Sequence, residues 1–75
     1  MKRKSDFKRR FARAYCHLED VAEQFYYMMK CTEDRDDICN IMEEIAVAAV
    51  YLQDHIKHVW QMMWGPWPTN IESYR

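Results

Sequence analysis

The 75-residue sequence has little of what small folds use for tight turns or a membrane span. It contains one glycine and two prolines, too few for the turns of a β-rich domain. Its longest purely apolar run, Ile45 to Leu52, is far shorter than the ~20 residues that cross a bilayer. The basic N-terminus is not followed by the apolar segment of a secretory signal. We therefore predict an all-α protein without a membrane contact.

The pattern of the three cysteines bears on the cellular compartment. Cys16, Cys31 and Cys39 are odd in number and form no C-x-x-C pair. Without a secretory signal, such cysteines are typical of a reducing environment in which thiols stay free. The sequence therefore predicts a cytoplasmic protein. Hydrophobic residues make up 49% of the chain, which excludes a disordered chain because they can offset the entropy of ordering.

Apolar residues recur at alternating steps of three and four, the heptad spacing of amphipathic helices. The first stripe consists of Phe7, Phe11, Ala14, Leu18, Val21, Phe25 and Met28. The second stripe consists of Ile38, Ile41, Ile45, Ala48, Leu52, His55, Val59 and Met62. Thr32 or Asp34 is expected to cap the second helix. The predicted organisation is a basic arm (1–5), a first helix (about 6–30), a turn (31–35), a second helix (about 36–64) and a tail with tryptophan and proline (65–75).

Two long helices of matched length with a short turn predict an antiparallel helical hairpin. If the heptad stripes form the contact between the helices, four residues of the second helix face the first: Ile45, Ala48, Ala49 and Leu52. Val47, Val50 and Tyr51 then point away, and a helix that is apolar all round is normally buried. Because two helices cannot bury two broad apolar faces, we predict a homodimer that forms a four-helix bundle, with these three residues in the self-association surface. The alternative is that a different protein covers the same three residues.

The C-terminal region holds the predicted protein-binding surface, which consists of Trp60, Met63, Trp64 and Trp67. Heptad counting places Trp60 and Trp64 on the side away from the first helix. Exposed tryptophans and flexible methionines favour protein contact because they offer large apolar area at small entropic cost. The alternative is that the tail folds back over the end of the hairpin and covers these side chains.

The N-terminal region is strongly basic, with seven basic residues and one acidic residue in positions 1–13. The predicted surface for an anionic partner consists of Lys2, Arg3, Lys4, Lys8, Arg9, Arg10 and Arg13. Lys8, Arg9 and Arg13 are expected on the outer side of the first helix. These cations could contact nucleic-acid phosphates without reading sequence, or steer binding to an acidic protein. Charge asymmetry of this kind is also typical of head-to-tail self-association.

Candidate metal ligands are few. His17, His55 and His58, with Cys16, would make a zinc site if the hairpin brought them together. His55, however, occupies a heptad position expected to face the core, where a single hydrogen-bonded histidine is ordinary. The sequence therefore predicts no metal site and no cofactor.

Acidic residues on both helices bear on catalysis. Over about a dozen residues they resemble the E-x-x-E and E-x-x-D patterns with which all-α nucleotide pyrophosphohydrolases hold magnesium. Asp20 and Glu23 match the first pair, and Glu44 matches the first member of the second. Val47 stands where the last acid would be, which leaves too few oxygens for an octahedral dication. We interpret these acids as a solvated face and predict that the chain is not an enzyme.

These observations favour a non-catalytic protein–protein interaction module that docks on a larger partner. This description fits a small helical adaptor, an assembly subunit or an inhibitor. The small size of the chain is typical of an inhibitor encoded by a virus or mobile element. One alternative is a nucleic-acid-associated protein that uses the basic arm. A less favoured alternative is a degenerate protein similar to the all-α nucleotide pyrophosphohydrolases.

Overall fold

A computed structural model describes residues 4–75, with side chains from Asp6 onwards. Helix α1 spans Lys4–Cys31, helix α2 spans Asp36–Trp64, and a short 3-10 helix follows at Ile71–Tyr74. The two long helices pack against each other in a body measuring 49 × 21 × 20 Å. Over residues 4–75, neither helix has a stretch long and apolar enough to cross a membrane. The predicted all-α hairpin is confirmed.

The N-terminal arm is shorter than expected. Helix α1 begins at Lys4, so residues 4 and 5 belong to the helix and not to the arm. Lys2 and Arg3, assigned to the surface for an anionic partner, lie outside the described residues, as does the side chain of Lys4. The structure therefore places only the later basic residues of that surface.

The turn between the helices differs from the expected capping. The Thr32 hydroxyl donates to the carbonyl oxygen of Met28 at 3.0 Å and so closes the end of α1. The expectation that Thr32 or Asp34 caps α2 is wrong, because Arg35 occupies the N-cap and makes no side-chain capping bond. The Arg35 guanidinium donates to the carboxylate of Asp37 at 3.4 Å, and this bond holds the pKa of Asp37 below its ordinary value.

Small side chains let the helices approach closely along the middle of the hairpin. Ala22 of α1 and Ala46 and Ala49 of α2 are buried there. Gln53 is buried as well, and its Nε2 donates to the backbone carbonyl oxygen of Tyr15 at 3.1 Å. Among residues 6–75, five apolar residues are buried and four of them are alanines. The hairpin consequently encloses very little large-side-chain core.

The predicted contact on α2 is wrong except at Ala49. Ile45, Ala48 and Leu52, expected to face α1, are exposed. The buried residues Ala46, Ala49, Gln53 and Trp60 each follow a member of the second stripe by one position. One position along a helix is a rotation of about 100°, so α2 is turned by that amount from the expected seating.

The tail folds back onto the hairpin at Gly65. This residue has φ of 104°, a left-handed conformation that glycine adopts without a Cβ clash. Its backbone N–H donates to the carbonyl oxygen of Gln61 at 3.2 Å and so ends α2. The 3-10 helix at Ile71–Tyr74 then packs against α1. The tail thereby closes the open end of the hairpin, opposite the turn.

Candidate protein-interaction surface

Six aromatic side chains gather at the open end, and we call them the aromatic cluster. Its members are Phe11, Tyr15, Trp60, Trp64, Trp67 and Tyr74. Trp60 lies at the centre and is 2% exposed. Its ring centroid is 4.8 Å from that of Trp64 and 5.2 Å from that of Trp67, both in edge-to-face geometry. The cluster supplies the large-side-chain packing that the alanine-rich middle lacks.

Two lysines cover the edges of the aromatic cluster. The Nζ atom of Lys8 lies 5.4 Å from the ring centroid of Trp60 and 5.6 Å from that of Trp64. The Nζ atom of Lys57 lies 5.5 Å from the ring centroid of Tyr15. A cation over an aromatic ring contributes about 0.5–1 kcal/mol at an exposed site. The expected place of Lys8 on the outer side of α1 is therefore wrong, because its charge is directed at the cluster.

The tryptophans do not form an open docking surface in the single chain. Their expected position away from α1 is wrong, because Trp60 and Trp64 both pack on Phe11 of α1, with centroids 6.3 and 5.2 Å away. The tail covers Trp60, which was the alternative reading of the sequence. Trp64 and Trp67 are half-buried, and Met63 alone of the four predicted protein-binding residues is exposed.

The heptad stripes, in contrast, lie largely at the surface. Five large members of the second stripe are partly or mostly exposed, namely Ile41, Ile45, Leu52, Val59 and Met62. In the first stripe Val21 is exposed, and the other large members are half-buried, namely Phe7, Phe11, Leu18, Phe25 and Met28. The most regular apolar pattern in the sequence is thus only partly buried between the two helices, with Phe11 packing on Trp60 and Trp64.

Both stripes lie on the same side of the hairpin. Phe11 and Leu18 from the first stripe line one groove together with Leu52, His55 and Val59 from the second. Residues at heptad spacing share one helix face, so the remaining members of each stripe extend this groove along the hairpin. We call the resulting surface the apolar face. It is the candidate interaction surface that the sequence analysis did not predict, although the unbroken heptads were its signal.

A second apolar surface lies elsewhere on α2. Val47, Val50 and Tyr51, assigned to self-association, are exposed, and Tyr51 reaches 63%. On the helical wheel Val47 and Val50 lie far from the second stripe, and Tyr51 lies at its outer edge. We call these three residues the back surface. Helix α2 therefore exposes apolar side chains around most of its circumference.

The two ends of the hairpin carry opposite charge. Residues 30–44, which include the turn, contain six acidic and two basic residues. At the open end Arg9, Arg10 and Arg13 are exposed on α1. The Nε of Arg10 lies 3.1 Å from a carboxylate oxygen of Asp6, four residues earlier. The long axis of the molecule therefore runs from an acidic end to a basic end.

The histidines do not gather into a metal site. His55 is exposed, so its expected core position is wrong, and its Nδ1–H donates to the Tyr51 carbonyl oxygen at 2.9 Å. His55 and His58 line a shallow groove with Asp54, whereas His17 lies in clefts on the α1 side. Within the described part of the chain, no three His, Cys, Asp or Glu side chains are placed to hold a metal ion.

The acids that resemble a magnesium motif are likewise divided. Asp20 and Glu23 line a polar cleft on α1 together with Glu19 and Glu72. Glu44 is exposed on α2 and does not line that cleft. The structure therefore does not bring the two halves of the motif to one site.

No family model, curated protein or solved structure matches this chain. The apolar face, the back surface and the charged ends are consequently the features from which its function is inferred.

Proposed function

We propose that this chain is a non-catalytic protein–protein interaction module of the cytoplasm. In this proposal its hairpin dimerises into a four-helix bundle, and the dimer docks on a larger partner as an adaptor, assembly subunit or inhibitor. The observation that carries the proposal is the exposure of apolar side chains around α2. A surface of this kind marks a site of protein contact in a folded protein.

The energetics of burial support this proposal. Covering one large apolar side chain completely contributes about 1.5–3 kcal/mol relative to leaving it in water. Five large side chains of the second stripe are more than a third exposed, while four of the five apolar residues buried among residues 6–75 are alanines. A core of this size rarely supplies more than ~3–5 kcal/mol. Contact with another protein would therefore contribute as much stability as the hairpin gains from its own packing.

We expect light scattering after size-exclusion chromatography to give twice the 9.2 kDa mass of one chain. Because association stabilises only the folded state, the melting temperature should rise with protein concentration. A single-chain mass with strong binding of a hydrophobic dye would point to the larger partner alone. A single-chain mass, a constant melting temperature and no dye binding would together contradict the proposed function, since no apolar surface would then need a partner.

Nucleic-acid association is the second candidate function, and the exposed cations of α1 favour it. Arg9 and Arg13 are exposed near the open end, whereas Arg10 is paired with Asp6. Guanidinium groups in this position could contact phosphates without reading bases.

If the basic end binds duplex DNA, Arg9→Ala with Arg13→Ala should weaken binding to all sequences. Each lost phosphate contact should lower the slope of log affinity against log salt by about 0.9, so the pair should lower it by about 2. The matched control is Arg35→Ala, an exposed arginine at the acidic end, which should leave the slope unchanged. Absence of duplex binding at low salt would end this candidate.

A further inference from the structure

We propose that the occupant of the apolar face is a second copy of this chain, lying antiparallel, so that the acidic turn of each copy packs on the basic open end of the other. This inference rests on the proposed function and specifies its dimer. It also moves the self-association surface from Val47, Val50 and Tyr51 to the two heptad stripes, which leaves most of the back surface open for the larger partner.

The side-by-side placement of the stripes is the first reason. In a four-helix bundle the heptad stripe of each helix points at the common axis of all four helices. Neighbouring helices then meet through the residues that flank the stripes. The hairpin shows this arrangement, because Ala22 and Ala49 each follow a stripe residue by one position and are buried between α1 and α2. The second stripe remains largely exposed, and the large side chains of the first stripe are half-buried apart from exposed Val21, as expected for half of a bundle.

Charge determines the orientation of the second copy. The turn region carries six acidic against two basic residues, whereas the described residues 6–13 carry four basic against one acidic. A parallel dimer would place turn on turn and basic end on basic end, which repels at both ends. An antiparallel dimer places opposite charges together at both ends, and complementary charge fixes orientation in association. The charge pattern therefore selects the antiparallel arrangement.

The outer edge of α2 agrees with this orientation. In an antiparallel dimer with two-fold symmetry, helix α2 of one copy lies against helix α2 of the other. Asp37, Glu44, Tyr51 and His58 follow that edge at intervals of seven residues, and all four are exposed. Antiparallel stacking brings Asp37 level with His58 of the second copy, and Glu44 level with Tyr51. Each pair joins a carboxylate to a side chain that can donate a hydrogen bond.

The apolar face is also large enough for a stable dimer. The body is 49 Å long and about 20 Å wide, and the stripes occupy one of its long sides. A stable protein interface of ordinary size buries ~800 Å² on each partner. The long side therefore has the area that the second copy requires.

Orientation can be measured with one spin label at the turn. Asp34→Cys, labelled with a nitroxide, is placed in a chain in which Cys16→Ala, Cys31→Ser and Cys39→Ala remove the native thiols. Pulsed electron spin resonance should give a distance between copies close to the 49 Å length of the hairpin, because the two turns lie at opposite ends. A distance below half that length in a dimer would overturn the antiparallel orientation and leave the proposed function intact.

The unsubstituted chain provides a second measurement. Zero-length coupling of carboxylates to amines should join turn acids such as Asp34 and Asp37 to lysines at the open end, including Lys8. Within one chain these groups are separated by most of the 49 Å length, so such a product reports contact between copies. Coupling between copies only through Lys30, beside the turn, would overturn the proposal, as would a strict monomer. A monomer that binds hydrophobic dye would still leave the proposed function standing.

Discussion

Trp60→Ala is expected to unfold the hairpin. Trp60 is 2% exposed and contacts four aromatic rings of the cluster, from Phe11 on α1 to Tyr74 in the tail. Truncating a buried tryptophan to alanine costs about 3–5 kcal/mol, because the transfer free energy is lost and a cavity remains. A domain of this size rarely has more than ~3–5 kcal/mol of stability. Circular dichroism at 222 nm should therefore show loss of helix at room temperature.

The matched control for this variant is Tyr27→Ala, which removes an aromatic ring from α1. Tyr27 is 66% exposed, so its loss should change the free energy of unfolding by no more than ~0.5 kcal/mol. If Trp60→Ala kept its helicity and melting temperature, the aromatic cluster would not hold the hairpin together. Trp60 would then be available for the protein-docking role that the sequence predicted for it.

The helical hairpin was predictable because periodicity is a local property of the chain. Alternating steps of three and four persist through both stripes, and only the segment around Glu33 and Asp34 interrupts them. A pattern of this regularity is typical of two amphipathic helices and incompatible with strands, whose period is two. Gly65 followed by Pro66 similarly marks the end of α2. These signals depend on neighbouring residues alone, so no tertiary information was needed.

The same pattern did not predict which face of each helix contacts the other helix. A heptad stripe shows that a helix face avoids water, but it does not show whether the covering helix is the hairpin neighbour or another molecule. The small residues Ala46 and Ala49 permit close approach one position beyond the stripe, and Gln53 bonds the Tyr15 backbone there. The periodicity of apolar residues does not predict which small or polar residues make these contacts between the helices. The sequence therefore predicted the existence of the apolar stripes and misassigned the surface they cover.

For a related reason, the sequence did not predict whether the C-terminal tryptophans are buried or exposed. Gly65 permits the chain to reverse, but reversal alone does not determine what the tail covers. Edge-to-face packing of Trp67 and Tyr74 on Trp60, with Lys8 above the rings, arises only in three dimensions. The same residues are compatible with tryptophans exposed as a docking site and with tryptophans covered by the C-terminal tail. The tail contacts select the closed end.

Leu52→Glu is expected to dissociate the dimer. Leu52 lies in the middle of the second stripe and is 49% exposed in the single chain, so a carboxylate there is solvated in the monomer and buried in the dimer. Because Leu52 is already about half covered in the single chain, each copy loses roughly half of the ~1.5–3 kcal/mol of complete burial, and a two-fold dimer loses it twice. Desolvation of the carboxylates adds to this loss. The dissociation constant should therefore rise by more than ~100-fold, which light scattering over a concentration series would measure.

Val47→Glu is the matched control, because it places the same carboxylate on the back surface of α2. Val47 is 52% exposed in the single chain, nearly the same as Leu52, so the two variants differ mainly in which side of the helix they change. We expect Val47→Glu to keep the dimer mass. Circular dichroism checks that both variants fold, and Leu52→Ala, which adds no charge, should weaken association in the same direction if Leu52→Glu unfolds. If Val47→Glu dissociated the dimer and Leu52→Glu did not, self-association would occur through the back surface. The reason is that a new carboxylate disrupts a dimer only where the dimer buries it.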